Sequence, residues 1–220
     1  MFEERFFEYY EKKHLGTYQG HLVPSITQLL DVLFPLNSEI PQDRLEKAAK
    51  RGTDRHSEIE RVNDMMNVKH IIPSGCQDNT TQETKDYLGL INAFSLRPIC
   101  YEELVFLLDE NGELICYGHF DLVVGAYKDI EPFEKDKAYM CDIKTTSVFD
   151  KEKTSWQTHA YRVALKQKGI MLNLANKTFG IHLREGVKLI PLKDRTDEQV
   201  LSQFKLLSNV WRERNATTTN

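Results

Sequence analysis

The chain has 220 residues, of which 40% are hydrophobic and 28% charged, the balance of one globular domain or of a domain with an appended subdomain. A formal net charge of −4 excludes a protein that coats nucleic acid through bulk basicity, so contact with a polyphosphate has to come from a local basic patch or through bridging metal ions. No apolar run approaches the ~18 residues of a membrane span, Met1-Phe2-Glu3-Glu4-Arg5 is not a basic-then-apolar leader, and Cys76, Cys100, Cys116 and Cys141 lack the C-x-x-C spacing of a zinc ribbon or redox pair. The expectation is a cytoplasmic protein with no membrane partner and with reduced, mostly buried thiols.

In chain order, Pro24-Ser25-Ile26-Thr27-Gln28 reads as a helix start, because Ser25 can cap and Gln28, three residues on, completes a capping box. Pro35 ends that short helix. From Pro41 to about Asp64, the residues Leu45, Ala48, Ala49, Gly52, His56, Ile59 and Glu60 recur three or four apart, which predicts a longer helix. Pro73-Ser74-Gly75 breaks the chain, and Thr81 to Phe94 is helical with a weaker pattern.

The character changes at Arg97-Pro98. Ile99 to Leu108 and Glu113 to Gly125 are rich in apolar and aromatic residues, and the Asn111-Gly112 pair between them is a hairpin signal. Ala138 to Lys144 is a third strand, and Lys153 to Lys168 returns to helical spacing. Phe179 to Leu183 and Val187 to Leu192 flank a second hairpin at Arg184-Glu185-Gly186. Thr196 to about Arg214 is a closing helix before a frayed tail over 215–220. This order of helices, three strands, helix, two strands and helix predicts an α/β fold with a central mixed sheet flanked by helices, mostly antiparallel at its hairpins. It predicts one domain over 1–220, with a helical part over 1–96 and an α/β core over 97–214.

Residues 118–144 carry the chemistry. Asp121 sits in one apolar run, in Gly118-His119-Phe120-Asp121, and Asp142-Ile143-Lys144 closes the next. Side chains alternate along a strand, so Asp142 and Lys144 share a face and Ile143 takes the other. If the two runs pair, two carboxylates and an ammonium meet, a grouping that suits a divalent cation held against a phosphate. Magnesium-type cations take hard oxygen ligands; Asp121, Asp142 and the backbone carbonyl of Ile143 would supply them. Lys144 would orient or deprotonate a water, or offset charge on a pentacoordinate phosphorus. Taken alone, D-x-K is more often a solvent-facing ion pair at a strand end. Its place inside an apolar run, after a second aspartate in a similar run, reverses that balance.

Four motifs in order resemble the PD-(D/E)xK nuclease superfamily and, within it, the RecB-like exonuclease group. Gly52-Thr53-Asp54-Arg55-His56 is similar to the group's glycine-and-histidine helix motif, Gly118-His119-Phe120-Asp121 to its G-x-x-D strand, Asp142-Ile143-Lys144-Thr145 to its D/E-x-K strand, and Gln157-Thr158-His159-Ala160-Tyr161 to its Q-x-x-x-Y helix. Val23-Pro24-Ser25-Ile26-Thr27 also resembles the group's entry into its first helix, and the likeness spans roughly residues 20–192.

The resemblance implies a restriction-endonuclease-like core and a metal-dependent DNA nuclease, an exonuclease that hydrolyses phosphodiester bonds from DNA ends with a metal-activated water. An endonuclease or structure-specific nuclease on the same site, or a catalytically idle DNA-binding or recombination module, are the alternatives. It implies Mg2+ or Mn2+ as cofactor, His56 as a ligand reaching from a helix, Asp121 and Asp142 as the main carboxylate ligands, and Lys144 as the catalytic lysine. Gln157 and Tyr161, four apart on one helix face, would brace the site or touch the substrate. Glu102 is a candidate for a position behind the ligands, and Glu60 reads as a helix-face charge. DNA, single-stranded or as duplex ends, is the implied partner, with a recombinase or single-strand-binding protein as a further one. Nothing after Cys141 is a cysteine, so the iron–sulfur cluster of some relatives is not expected. Lys151, Lys153, Arg162, Lys166 and Lys168 gather around the Gln157–Tyr161 segment as a basic face for a single strand, and Trp156 is either a base-stacking ring or a buried one.

Overall fold

Residues 2–10, 15–35, 41–68, 80–170 and 173–216 are described by the structure, a computed structural model. Their centre is a five-stranded sheet in sequence order, β4 (Leu96–Leu108), β5 (Leu114–Ala126), β6 (Ala138–Lys144), β7 (Phe179–Leu183) and β8 (Val187–Pro191). All neighbours are antiparallel except β6 and β7, which run parallel and are joined by helix α4 (Lys151–Gln167). A parallel pair needs such a crossover, whereas the hairpins need only a short turn. At the β4–β5 turn Gly112 takes φ +74, and the Asp109 carboxylate accepts from the N–H groups of Asn111 and Glu113, both at 2.9 Å. The sheet is mixed, as its segment pattern implies.

Helices cover both faces. On one face lie α1 (Ile26–Leu33), α4 and α5 (Asp197–Ala216), packed on Phe120, Val123 and Met140. On the other lie α2 (Gln42–Val68) and α3 (Gln82–Ala93), packed on Leu122, Val124, Tyr139, Cys141 and Ile143. Strand alternation along β6 therefore sends Tyr139, Cys141 and Ile143 towards α2 and α3, and Met140, Asp142 and Lys144 towards α4. The capping box of α1 forms as its sequence demands: Gln28 N–H donates to Ser25 Oγ at 3.1 Å and Ser25 N–H to Gln28 Oε1 at 2.8 Å, worth about 1 kcal/mol.

Several boundaries differ from the sequence expectation. Among the described residues before α1, after a 3-10 turn over Glu4–Phe6, β1 (Phe7–Tyr10), β2 (Leu15–Tyr18) and β3 (His21–Val23) form a separate antiparallel sheet where a helical region was expected. Its alternation is only four residues deep, too short to stand out in sequence, and it is fixed by packing. Phe7 meets Phe106 and Tyr117 at centroid distances of 4.8 and 5.0 Å, and Gly16 leaves the room those rings need. β4 begins before Pro98 rather than after it, because an edge strand with a bulge between Pro98 and Cys100 tolerates the missing N–H. α2 continues a turn beyond Asp64, held by Tyr87 Oη donating to Asn63 at 2.9 Å and Arg97 Nε to Asn67 at 3.1 Å. α5 runs through Asn215 and Ala216, which the sequence reading gave to the tail. The Pro73-Ser74-Gly75 break, Cys76 and residues 217–220 lie outside the described residues. Among those described, no helix is long and apolar enough to cross a membrane.

Candidate metal centre

Three elements deliver three ligand-type side chains to one point. The register of β4 against β5 pairs Tyr101 with Leu122 and Glu103 with Phe120, which sets Glu102 opposite Asp121. Side chains directly opposite share a face. Glu102 also holds φ +50, a left-handed conformation in the middle of a strand, which costs a non-glycine residue on the order of 1–3 kcal/mol and tends to occur where function over-determines the backbone. α2 crosses β4 and adds His56. Its Nδ1–H donates to Glu102 Oε1 at 3.0 Å and lies 3.7 Å from Asp121 Oδ1. One atom from each of His56, Glu102 and Asp121 lies within 4.8 Å of the others, and all three side chains are half-buried. The other Asp121 oxygen, Oδ2, accepts from the Ile143 N–H at 2.6 Å, so the neighbouring strand fixes the carboxylate.

A second group adjoins the first. Asp142 is fully buried, and neither of its oxygens has a well-formed hydrogen bond. Oδ2 lies 2.7 Å from Lys144 Nζ, an ion pair. Lys144 Nζ donates to Gln157 Oε1 at 3.2 Å, and Gln157 Nε2 donates to Tyr161 Oη at 3.1 Å. These two residues are one turn apart on α4, on the face that meets β6.

The charges explain the titration behaviour. Burial pushes the His56 imidazole down, but the Asp121 and Glu102 carboxylates outweigh it and raise the pKa to about 9. Burial raises the Asp142 carboxyl to about 6, against the pull of Lys144. Lys144 is pushed down by burial and raised more strongly by Asp142 and Asp121, so it stays an ammonium. The β4–β5 ladder holds Glu102 and Asp121 side by side, and the imidazole lies against both carboxylates.

The structure brings His56, Asp121, Asp142, Lys144, Gln157 and Tyr161 together from two adjacent strands and two helices. Glu102 stands among the ligand-type side chains rather than behind them. Asp142 lies outside that trio and faces Lys144, and Ile143 contributes its N–H to Asp121. Glu102 had a readable signal: counting both strands outward from the Asn111-Gly112 turn places it opposite Asp121 to within one residue. Glu60, one turn along α2, has its carboxyl raised first by burial and then by Glu102 and Asp64.

Gly118 has a steric reason. A Cβ there would stand 2.7 Å from Tyr161 Cε1 and 3.2 Å from Ile26 Cδ1, so the glycine of one motif seats the tyrosine of another. Gly52 has no such constraint, since a Cβ there would meet only Thr145 Oγ1 at 3.8 Å.

Of the five cations expected as a basic face on α4, Lys151 is exposed and the other four have carboxylate partners. Arg162 is fully buried and donates to Asp197 Oδ1 at 2.6 Å, Asn176 at 3.0 Å and His159 at 3.2 Å. It occupies the α4 stripe that meets α5, where an apolar neighbour would be the ordinary choice, so helical spacing alone could not place it inside. Lys153 pairs with Asp31 at 2.7 Å, Lys166 with Asp197 at 2.5 Å and Lys168 with Glu103 at 3.3 Å. Trp156 is half-buried, and the Arg195 guanidinium covers its ring 3.6 Å from the centroid. His159 is a structural histidine, wholly buried, with its pKa lowered to about 4 by burial and by Arg162.

An imidazole nitrogen and two carboxylate oxygens within 4.8 Å of one another can hold a divalent metal ion. The buried Asp142 carboxylate is met by the Lys144 ammonium and lies beside this trio rather than in it. No protein-family model matches this chain, and no curated protein sequence matches it significantly.

Proposed function

We propose that this chain is a metal-dependent phosphodiesterase that cleaves DNA from its ends, a member of the nuclease group its motifs resemble. One observation carries the reading: the D-x-K pair, Asp142 and Lys144, adjoins a His56–Glu102–Asp121 group whose spacing suits one cation. His56, Glu102 and Asp121 would hold Mg2+ or Mn2+, which when bound supplies Lewis acidity and an acidified water. Lys144 stays charged beside Asp142 and donates to Gln157, so its remaining N–H groups are available to a phosphate oxygen that gains negative charge. Tyr161 and Gln157 hold that ammonium in place from α4. The preference for ends is supported by what surrounds the site. Lys153, Arg162, Lys166 and Lys168 each have a carboxylate partner, so α4 offers little to clamp a duplex along its length.

The test is incubation of end-labelled linear DNA and covalently closed circles with magnesium, manganese or chelator, using wild type and Asp142→Asn. Linear DNA should be degraded only with metal, and circles should survive. Asp142→Asn should lose at least about 100-fold in rate, the scale of removing one pre-positioned electrostatic group, while its melting temperature stays at or above the wild-type value. Undiminished cleavage by Asp142→Asn would refute the site, and circles cut as fast as linear DNA would replace the exonuclease reading with an endonuclease.

A further inference from the structure

β5 carries His119 and Tyr117 two and four residues before Asp121. Tyr9, from the small N-terminal sheet, lies against both rings, 4.9 Å from His119 at 55° and 5.8 Å from Tyr117 at 65° between planes. Across from this aromatic wall is the first turn of α1, where Ser25 and Gln28 are occupied in capping each other and Thr27 is exposed. Gly118 and Tyr161 complete the lining of a cavity of about 350 Å³. The cavity shares a wall with the metal centre, because Tyr161 accepts from Gln157, which in turn accepts from Lys144. None of its aromatic residues belongs to the His56–Glu102–Asp121 group.

We infer that this cavity receives the unpaired base of the nucleotide next to the phosphate being cleaved, so that the substrate is a single-stranded end. The inference rests on the phosphodiesterase reading for the direction in which the nucleotide lies. The volume is at the lower end of small-ligand sites, which run from about 300 Å³; it admits one planar heterocycle and is too small for a base pair. Tyr117 and Tyr161 are buried, so a base would stack on the half-buried Tyr9 and His119, with little preference for which base it is. Two residues of strand separate His119 from Asp121, roughly 6.6 Å at 3.3 Å per residue, which keeps the base within a nucleotide's reach of the carboxylates. The missing side chain at Gly118 keeps that side of the cavity low. The N-terminal sheet thereby gains a role, since it delivers Tyr9 to the wall.

Calorimetric titration of the full chain with thymidine 5′-monophosphate and with 2-deoxyribose 5-phosphate, in chelator and in manganese, isolates the base. The nucleotide should bind about tenfold more tightly than the sugar phosphate, about 1.4 kcal/mol. Tyr9→Phe should keep that ratio and Tyr9→Leu should lose most of it, with sugar-phosphate and Mn2+ affinity retained in both. Equal binding of the two probes by wild type overturns the subsite whether or not the protein cleaves DNA, and so does a ratio that persists in Tyr9→Leu. A tenfold ratio in a wild-type protein that cleaves nothing in manganese leaves a nucleotide site standing and removes the phosphodiesterase reading instead.

Discussion

Gly118→Ala is the sharpest single perturbation of this architecture. The added methyl would sit 2.7 Å from Tyr161 Cε1, 3.2 Å from Ile26 Cδ1 and 3.5 Å from Ile26 Cβ. Relief requires the tyrosine ring to withdraw by about 1 Å, yet Tyr161 and Ile26 are 4% and 0% exposed and both belong to the core between the sheet and α1, α4 and α5. Overpacking of this kind costs about 1–3 kcal/mol. For a chain of this size each kcal/mol moves the melting temperature by about 2–4 °C, so a fall of roughly 3–10 °C should appear in a thermal melt. Tyr161 also holds Gln157, and through it Lys144, so cleavage should fall more than stability does, by up to about 100-fold for a displacement of this size. Gly118→Ala combined with Tyr161→Leu should be less destabilised than the sum of the two singles, because the second change removes the clash made by the first. A Gly118→Ala protein that melts within 1 °C of wild type would show that the ring yields freely, and the argument linking Gly118 to Tyr161 would fail.

The buried His159 gives the chain an acid sensitivity that is independent of the metal centre. Its folded pKa of about 4 lies below its ordinary 6.5, so between these values the unfolded state binds the extra proton, and stability should fall by about 3 kcal/mol as pH drops from 6.5 towards 4; denaturant midpoints across that range should show the loss, and His159→Gln should flatten it. For His56→Ala, two carboxylates remain to hold a cation, so activity should be weak at low manganese and partly recovered at high manganese, unlike Asp142→Asn. A metal titration of His56→Ala that superimposes on wild type would make His56 a structural helix residue.

How much of this is legible in the sequence depends on how local the cause is. The capping box at Ser25 and Gln28, the Asn111-Gly112 turn and the order of the central elements are set by neighbours within a few residues, and they appear in the structure near where the chain implies them. Two aspartates in successive apolar runs, with a lysine two positions after the second, point to Asp121, Asp142 and Lys144 as candidates if those runs pair. What sequence could not supply is set by residues far away. The sheet at the N-terminus exists because Phe106 and Tyr117 give it a surface, nearly a hundred positions downstream. Arg162 looks like one more surface cation until Asp197, Asn176 and His159 close around it. Glu102 is intermediate: counting from the Asn111-Gly112 turn places it near Asp121, but only the formed register and the left-handed backbone distinguish it from Glu103, which pairs with Lys168.

The choice of histidine at position 56 follows from how α2 is attached. This helix buries few apolar side chains, chiefly Ile59 and Val62, and is otherwise held by polar contacts: Arg51 to Glu83, Arg55 to Glu58 at 3.1 Å, Thr81 N–H to Glu58 at 2.9 Å and Tyr101 to Asp64. Each such contact is worth only about 0.5–1.5 kcal/mol net. A carboxylate at position 56 would face Glu102 and Asp121, with Glu60 and Asp142 close behind, and in the absence of metal it would push α2 off the sheet. The imidazole avoids this because, once protonated, it hydrogen-bonds Glu102 through Nδ1–H and sets a positive charge 3.7 Å from Asp121. If a cation took the place of the proton, the same three side chains would remain joined and the helix would stay docked. A cation at about 100 times its dissociation constant would then add about 2.7 kcal/mol to the folded state, more than any one of the polar contacts that hold α2. On this account the centre would act as a staple between α2 and the sheet, closed by a proton or by a metal.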